Sequence, residues 1–551
     1  MVRKPAWVVG LGTVATLAIA ACSEKPAPAP ISDGDAVPGA PGVVNLAQGW
    51  SDEVQDQAWF TSFGSRLVPY AWLLHLEQAG SSERFLSDAH MASLGFFVQQ
   101  PTKHNPDALP VGFTRENGAD GQDWAGLGCA ACHTGEVRVG ATRIRIDGGQ
   151  ALIDFDRFEG ELVEALSAVA ADPARLDRLA TATGATDKLA LTNQVVALAQ
   201  KLDARHRGNH SDVAYGHGRL DAFGQIFNAV TIDFLGIPGN GHEPNAPVSY
   251  PALWTASHLD LVQWNASAPN AGPGPLFQNV TTAIAVYGEL DIHDKGGIDG
   301  YGSSANFENL GHIQEWMYEL KSPAWSQSLL GALDAQRIAR GKDVYARECV
   351  SCHALVDRND GKRIAKAVTT PVSEVGTDPR MADNFLTAKS KSGAFAGKKQ
   401  AVVAGDVLGE EARAIDLVIH AAMGAVLRHP LASVRDTMVA HHKVVKAAID
   451  ANPDYYKARP LDGIWATAPY LHNGSVPSLV ELLKPPAERV AKFWVGTPDF
   501  DVDNVGIVAT EGPGRLLFDT SLAGNWNYGH EYGTALAADQ KRDLLEYLKS
   551  L

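Results

Sequence analysis

Two places in this chain set a pair of thiols and an imidazole side by side: Cys129-Ala-Ala-Cys132-His133 and Cys349-Val-Ser-Cys352-His353. Two thiols three positions apart on one helical turn can each add to a vinyl group of one haem. The histidine that follows is then directed at the iron as an axial ligand. A zinc site would need four ligands closed around one ion. A dithiol redox pair would sit at a strand-to-helix turn in an α/β pattern. Neither accounts for a histidine directly after both pairs. The chain has five cysteines. The fifth, Cys22, falls in the leader, so none is left for a disulfide. The motifs predict two covalently bound haems c on Cys129, Cys132, Cys349 and Cys352, with His133 and His353 on the irons.

The sixth position of each iron decides the chemistry. A second strong ligand makes an electron-transfer site, whereas an open position admits dioxygen or peroxide. For the second motif the first candidate is His530, in Tyr528-Gly529-His530-Glu531-Tyr532-Gly533. It lies just before the last helix, and flanking glycines let the backbone approach a porphyrin closely. His472, in Pro469-Tyr470-Leu471-His472-Asn473-Gly474, is its rival, with Met423 and Met438 behind. Either histidine can instead bond a haem propionate or a backbone group. For the first motif no distal ligand stands out among Met91, His104, His217, His242 and His258. The segment 247–288, with Pro247, Tyr250, Trp254, Trp264, Asn265, Pro275 and Phe277, reads either as a water-excluding distal pocket or as a packed loop.

The elements that must hold these residues are predicted as follows. Helices are expected over about 157–182 and 186–206, from apolar spacing such as Leu162, Leu166, Val169 and Leu176. A helix from Ala335 to Arg347 leads into the second motif, and another closes the chain at about Ala537 to Lys549. Residues 207–305, rich in Gly, Pro, Asn and aromatics, read as a long irregular segment. The fold expected is mainly α with little β: two cytochrome c-type haem domains with long irregular insertions, over 46–330 and 331–551.

Residues 1–21 have the form of a leader: Arg3 and Lys4, then an apolar run too short to span a membrane, closing on Ala20-Ala21-Cys22. That ending resembles a bacterial lipoprotein signal. The resemblance implies a lipid on Cys22 and a periplasmic location, with Ser23 in place of Asp pointing to the outer membrane. Residues 22–45, rich in Pro, Ala and Gly, read as a flexible tether. A net charge of −16 excludes nucleic acid as a natural partner. Hydrophobic and charged contents of 45% and 20% fit a soluble globular body.

The stretch Leu461-Asp-Gly-Ile-Trp-Ala-Thr-Ala-Pro-Tyr-Leu-His472-Asn-Gly-Ser475 resembles the signature of the bacterial di-haem cytochrome c peroxidase superfamily. Asn105-Pro106-Asp107, Leu109–Phe113, Val262-Gln263-Trp264-Asn265 and Tyr528–Thr534 are similar to the rubber-oxygenase branch and its relatives. The methionine that the peroxidases place downstream of that histidine is missing: the sequence reads Leu482-Leu483-Lys484-Pro485-Pro486. The oxygenase branch implies two histidines on the second haem, an oxygen-binding first haem with an apolar distal side, and a tryptophan between the haems. Trp264 and Phe277 are the candidates for that tryptophan and that apolar residue. Three functions follow: a redox enzyme using peroxide or dioxygen at the first haem, with a small redox protein as electron donor; an oxygenase cleaving carbon–carbon double bonds of an apolar substrate; or a non-enzymatic carrier.

Overall fold

The computed structural model describes residues 29–118, 121–292, 300–443 and 454–551. The leader, Cys22 and the first tether residues lie outside them. The chain is 39% helix and 15% strand, a mixed fold with nine small sheets among the described residues. This corrects the expectation of a mainly α chain of two cytochrome c-type domains. The strands are two to six residues long, and most are too short for alternation to show.

The longest hairpin shows a second reason. Thr134–Val139 pairs antiparallel with Thr142–Asp147 around Gly140, whose φ is +60°. Ile144 and Ile146 face the core, as alternation requires. Arg145 between them is buried too. Its guanidinium lies 5.2 Å from the Trp59 ring and 4.5 Å from the Phe97 ring, and pairs with Glu136 at 3.2 Å. Both faces of this hairpin are covered, so a charged residue does not mark the outside. Val43–Val44 extends the sheet in parallel with Arg143–Ile144.

The first Cys-x-x-Cys-His motif sits between two sheets. Phe113–Asn117 and Asp123–Leu127 form a hairpin, the single turn Cys129–Cys132 follows, and the chain enters Thr134–Val139. Gly112 must be glycine: a Cβ there would meet the Ala131 nitrogen at 2.1 Å, and φ is +89°. Beneath this lies an apolar core of Phe85, Phe96, Phe113 and Phe158 with the helices Phe155–Ala171, Pro173–Thr183 and Lys188–Gly208. The Asp172-Pro173 step splits the first predicted helix in two, since proline removes a donor.

A second core joins Gly274–Ala285, Phe307–Glu319 and Ala414–Leu427. The third is built on the predicted helix pair, found at Ala335–Glu348 and Ala538–Ser550. These cross at Gly341, where a Cβ would meet the Asp543 carbonyl oxygen at 2.0 Å. Arg340 and Arg337 bind the Asp543 carboxylate at 2.7 and 3.0 Å.

Candidate functional site

The turn Cys129–Cys132 sets Cys129 against one core and Cys132 against another, and the His133 N–H closes it on the Cys129 carbonyl at 2.9 Å. The His133 Nδ1–H donates to the Pro251 carbonyl at 2.9 Å, which would leave Nε2 for an iron. Burial pushes His133 down to about 4, so the ring is neutral, as a ligand must be. A small recess adjoins Cys129 and His133. Trp50, Trp59, Leu253, Ile313, Trp316 and Met317 line it.

The second motif repeats the design. Cys349 caps the helix Ala335–Glu348, and the His353 N–H returns to the Cys349 carbonyl at 2.8 Å. The His353 Nδ1–H donates to the Arg459 carbonyl at 2.7 Å, again freeing Nε2. Tyr345 OH donates to the His353 carbonyl at 2.6 Å.

His530 faces His353, with ring centroids 6.2 Å apart. A metal–imidazole bond is about 2 Å, so two imidazoles on opposite sides of one metal put their centroids roughly 6 Å apart. Nδ1 of His530 is buried without a partner, and burial pushes the ring down to about 4. The residues therefore fit an iron between them. The loop geometry demands its glycine: Gly529 has φ +72°, and a Cβ there would meet the Gly376 carbonyl carbon at 2.2 Å. Arg489 holds the loop by donating to the carbonyls of Asn527, Gly529 and His530 at 2.5, 2.9 and 3.2 Å. No spacing in the sequence marks this lone loop arginine.

His472 points elsewhere. It stacks on Tyr456 at 4.3 Å and meets the Trp264 ring edge-on at 6.5 Å. Met438 is exposed at the surface and Met91 is buried in the first core. His104, His217, His242 and His258 all make local contacts: Glu53, Leu152 O and Gly514 O, Ser390, and His441. Phe277, on Gly274–Ala285, borders the same core as Cys129 but does not line the recess at His133.

Trp264 contacts residues near both motif histidines. Its Nε1–H donates to the Ser249 carbonyl at 3.2 Å, two residues before the acceptor of His133. The guanidinium of Arg459 sits 5.5 Å from its ring, and the Arg459 carbonyl is the acceptor of His353. Burial pushes Lys457 down to about 7 and Arg459 to about 10. The Lys457 Nζ donates to the Leu261 carbonyl at 3.5 Å, and Asp260 and Asp462 lie near enough to favour the charged forms of Lys457 and Arg459. Sequence reasoning passed over them, although they stand just before the motif at Leu461.

The thiols argue against dithiol chemistry. Burial pushes Cys129, Cys132 and Cys349 up to about 11, 12 and 11, whereas reactive pairs are depressed. Among the described residues no group of three or more His, Cys, Asp or Glu is arranged to hold a metal ion, so a zinc site is not supported.

Residues 455–495, which carry Lys457, Arg459 and His472, match the RoxA-like, cytochrome c-like family. The match supports the rubber-oxygenase-like cytochrome branch and a haem c; it does not extend to the wider di-haem peroxidase superfamily. A Sinorhizobium fredii protein, the uncharacterized protein y4iJ, is 30% identical over 92% of this chain and 93% of its own length. A second from that organism, the uncharacterized protein y4iM, is 25% identical over 56% of this chain and 67% of its own. Through that near full-length likeness the chain belongs to the family of y4iJ, and it carries within it a RoxA-like, cytochrome c-like domain.

Proposed function

We propose that this chain is an exported, lipid-anchored redox enzyme that carries two covalent haems c and reacts with peroxide or dioxygen at the first motif. The observation that carries this reading is the facing of His353 and His530, with centroids 6.2 Å apart. If His353 and His530 both held the iron of a bound haem, they would leave no place for an outside ligand, and the second motif would serve as an electron relay. Small-oxidant chemistry falls to the motif at His133. When bound there, haem supplies the iron that binds and reduces the oxidant.

The chain's own residues do the rest. Pro251 orients His133. Trp50, Leu253, Ile313 and Trp316 keep water from the recess. Trp264 and Arg459 bridge the two motifs, Phe277 adds apolar surface near Cys129, and Lys457 and Arg459 offer cations to the haem carboxylates. A lipid on Cys22 holds the protein on the periplasmic side, where a small redox protein supplies electrons.

The test is intact mass with a haem-stained denaturing gel, then EPR of the ferric protein with and without peroxide. Two haems should survive denaturation, one low-spin and one that changes on peroxide. A mass of one haem or none sinks the reading. Two low-spin haems that ignore peroxide and dioxygen make the protein a carrier.

A second reading draws support from the RoxA-like match and the apolar lining of the small recess: a dioxygenase cleaving carbon–carbon double bonds of an apolar substrate. Dioxygen uptake dependent on an alkene, without peroxide turnover, selects it.

A further inference from the structure

Helix Ala414–Leu427 carries His420 and Gly424 four residues apart, on one face. Both meet Tyr301. The Tyr301 hydroxyl reaches His420 Nε2 at 2.6 Å, and the two rings lie edge-on with centroids 5.6 Å apart. Gly424 makes room for the phenol: a Cβ there would meet Tyr301 Cγ and Cδ1 at 2.3 Å. Tyr301 is 4% exposed, and His420 is fully buried.

The partners fix the protons. His420 Nδ1 lies 2.7 Å from the Lys399 carbonyl, which can only accept, so Nδ1 carries the hydrogen. Nε2 is then the acceptor for the Tyr301 O–H. Burial holds His420 below the usual histidine range and Tyr301 above the usual phenol range. Both are therefore neutral, a phenol donating to a free imidazole.

Other buried tyrosines are held differently. Tyr215, Tyr345, Tyr456 and Tyr470 donate to backbone carbonyls, which are not bases. Tyr70 and Tyr287 donate to the carboxylates of Asp107 and Glu159, weaker bases than imidazole. An imidazole acceptor lets the phenol lose an electron. Without proton loss, the positive charge would stay on a ring in an apolar core, 5.8 Å from the Lys398 ammonium. Passing the proton along the 2.6 Å hydrogen bond takes the charge off the ring and places it on an imidazolium whose other N–H is held by the Lys399 carbonyl.

This pair shares a core with the first motif. Tyr301 and Ile313 belong to that core, and Cys129, Trp316 and Met317 border it. Ile313, Trp316 and Met317 also line the recess beside His133.

We propose that Tyr301 is a redox-active tyrosine, oxidised by one electron while His420 takes its proton. For its oxidant this rests on the peroxide reaction proposed above. Peroxide becomes two water molecules by taking two electrons and two protons. Haem at the first motif gives one electron and Tyr301 the other. The Tyr301 hydroxyl proton moves to His420 Nε2, and the protons of the water come from solvent. When a reduced donor returns the electron to Tyr301, the proton goes back from His420.

The test is EPR of the fully oxidised, haem-loaded protein, frozen just after mixing with hydrogen peroxide. An organic radical should appear and narrow when the tyrosines carry ring deuterium. It should fall several-fold in Tyr301→Phe, which removes only the hydroxyl, with the resting haem spectrum unchanged. His420→Phe, which leaves the hydroxyl without a base, should lower it as far. In the wild type, electron–nuclear double resonance should find an exchangeable proton hydrogen-bonded to the radical. Photogenerated tris(bipyridine)ruthenium(III), a one-electron oxidant, should raise the same Tyr301-dependent signal without peroxide. No radical with peroxide, alongside a Tyr301-dependent one with ruthenium, sinks the peroxide reading and leaves the pair standing. Absence of a Tyr301-dependent radical with ruthenium overturns the inference. So does a peroxide radical that folded Tyr301→Phe keeps in full, or one without the exchangeable proton.

Discussion

His530 and His472 differ less in sequence than in surroundings. Both follow a residue with positive φ, at Gly529 and Leu471, and both rings are buried. Only His530 faces a motif histidine. Replacing His530 with Ala should turn the second haem from low-spin to high-spin by EPR, while His472→Ala leaves that signal in place. His472 should instead show itself in stability. Burial pushes it from 6.5 to about 3, so the folded state resists its protonation while the unfolded chain accepts the proton. Its neutral form therefore supports the fold fully above about 6.5, and that support is lost as pH falls towards about 3. Denaturation midpoints followed down that range should drop less steeply for His472→Phe than for the wild type. The motif cysteines and histidines were legible because their chemistry needs fixed local spacing. Arg489 was not, because its role rests on carbonyls of the 527–530 loop that only the fold brings to it.

At the scale of elements, the strands were not legible and the helices only in part: Gly274–Ala285 lies inside residues 207–305, which were expected to be irregular, and Phe307–Glu319 and Ala414–Leu427 were not anticipated. Ala335–Glu348 and Ala538–Ser550 lie within a residue or two of their predicted ends, because a long amphipathic stripe repeats its signal over several turns. The strand Thr142–Asp147 does alternate, yet Arg145 is buried beneath Trp59 and Phe97, so its polarity misleads. Two-residue strands such as Arg219–Leu220 have no period to read. The helix pair carries its own prediction. Gly341→Ala drives a methyl into the Asp543 carbonyl oxygen and should cost about 1–3 kcal/mol in chemical denaturation. Because Cys349 caps that helix, the same variant should also lower haem occupancy at the second motif relative to the first.

Over the whole molecule, the two motifs are joined by packing rather than by sequence proximity. Ser249, Trp264 and Arg459 come from separate segments and contact one another near residues that hold the two motif histidines. If Trp264 is the bridge we propose, Trp264→Leu should leave both haem spectra unchanged and slow electron redistribution between the haems several-fold in stopped-flow reduction. An unchanged rate would show that electrons take another route.

The second site draws on His353, Arg459, Arg489 and His530, and the crossing at Gly341 needs the last helix. A chain made from its N-terminus presents Cys349 and Cys352 well before Gly529 and His530 exist. If the second motif carries a haem as proposed, its thiols would be modified early, and the side facing His353 would close only once His530 is made. A product cut short before Gly529 would carry its pigment with one axial face bare, and its spin state would distinguish unfinished molecules from finished ones.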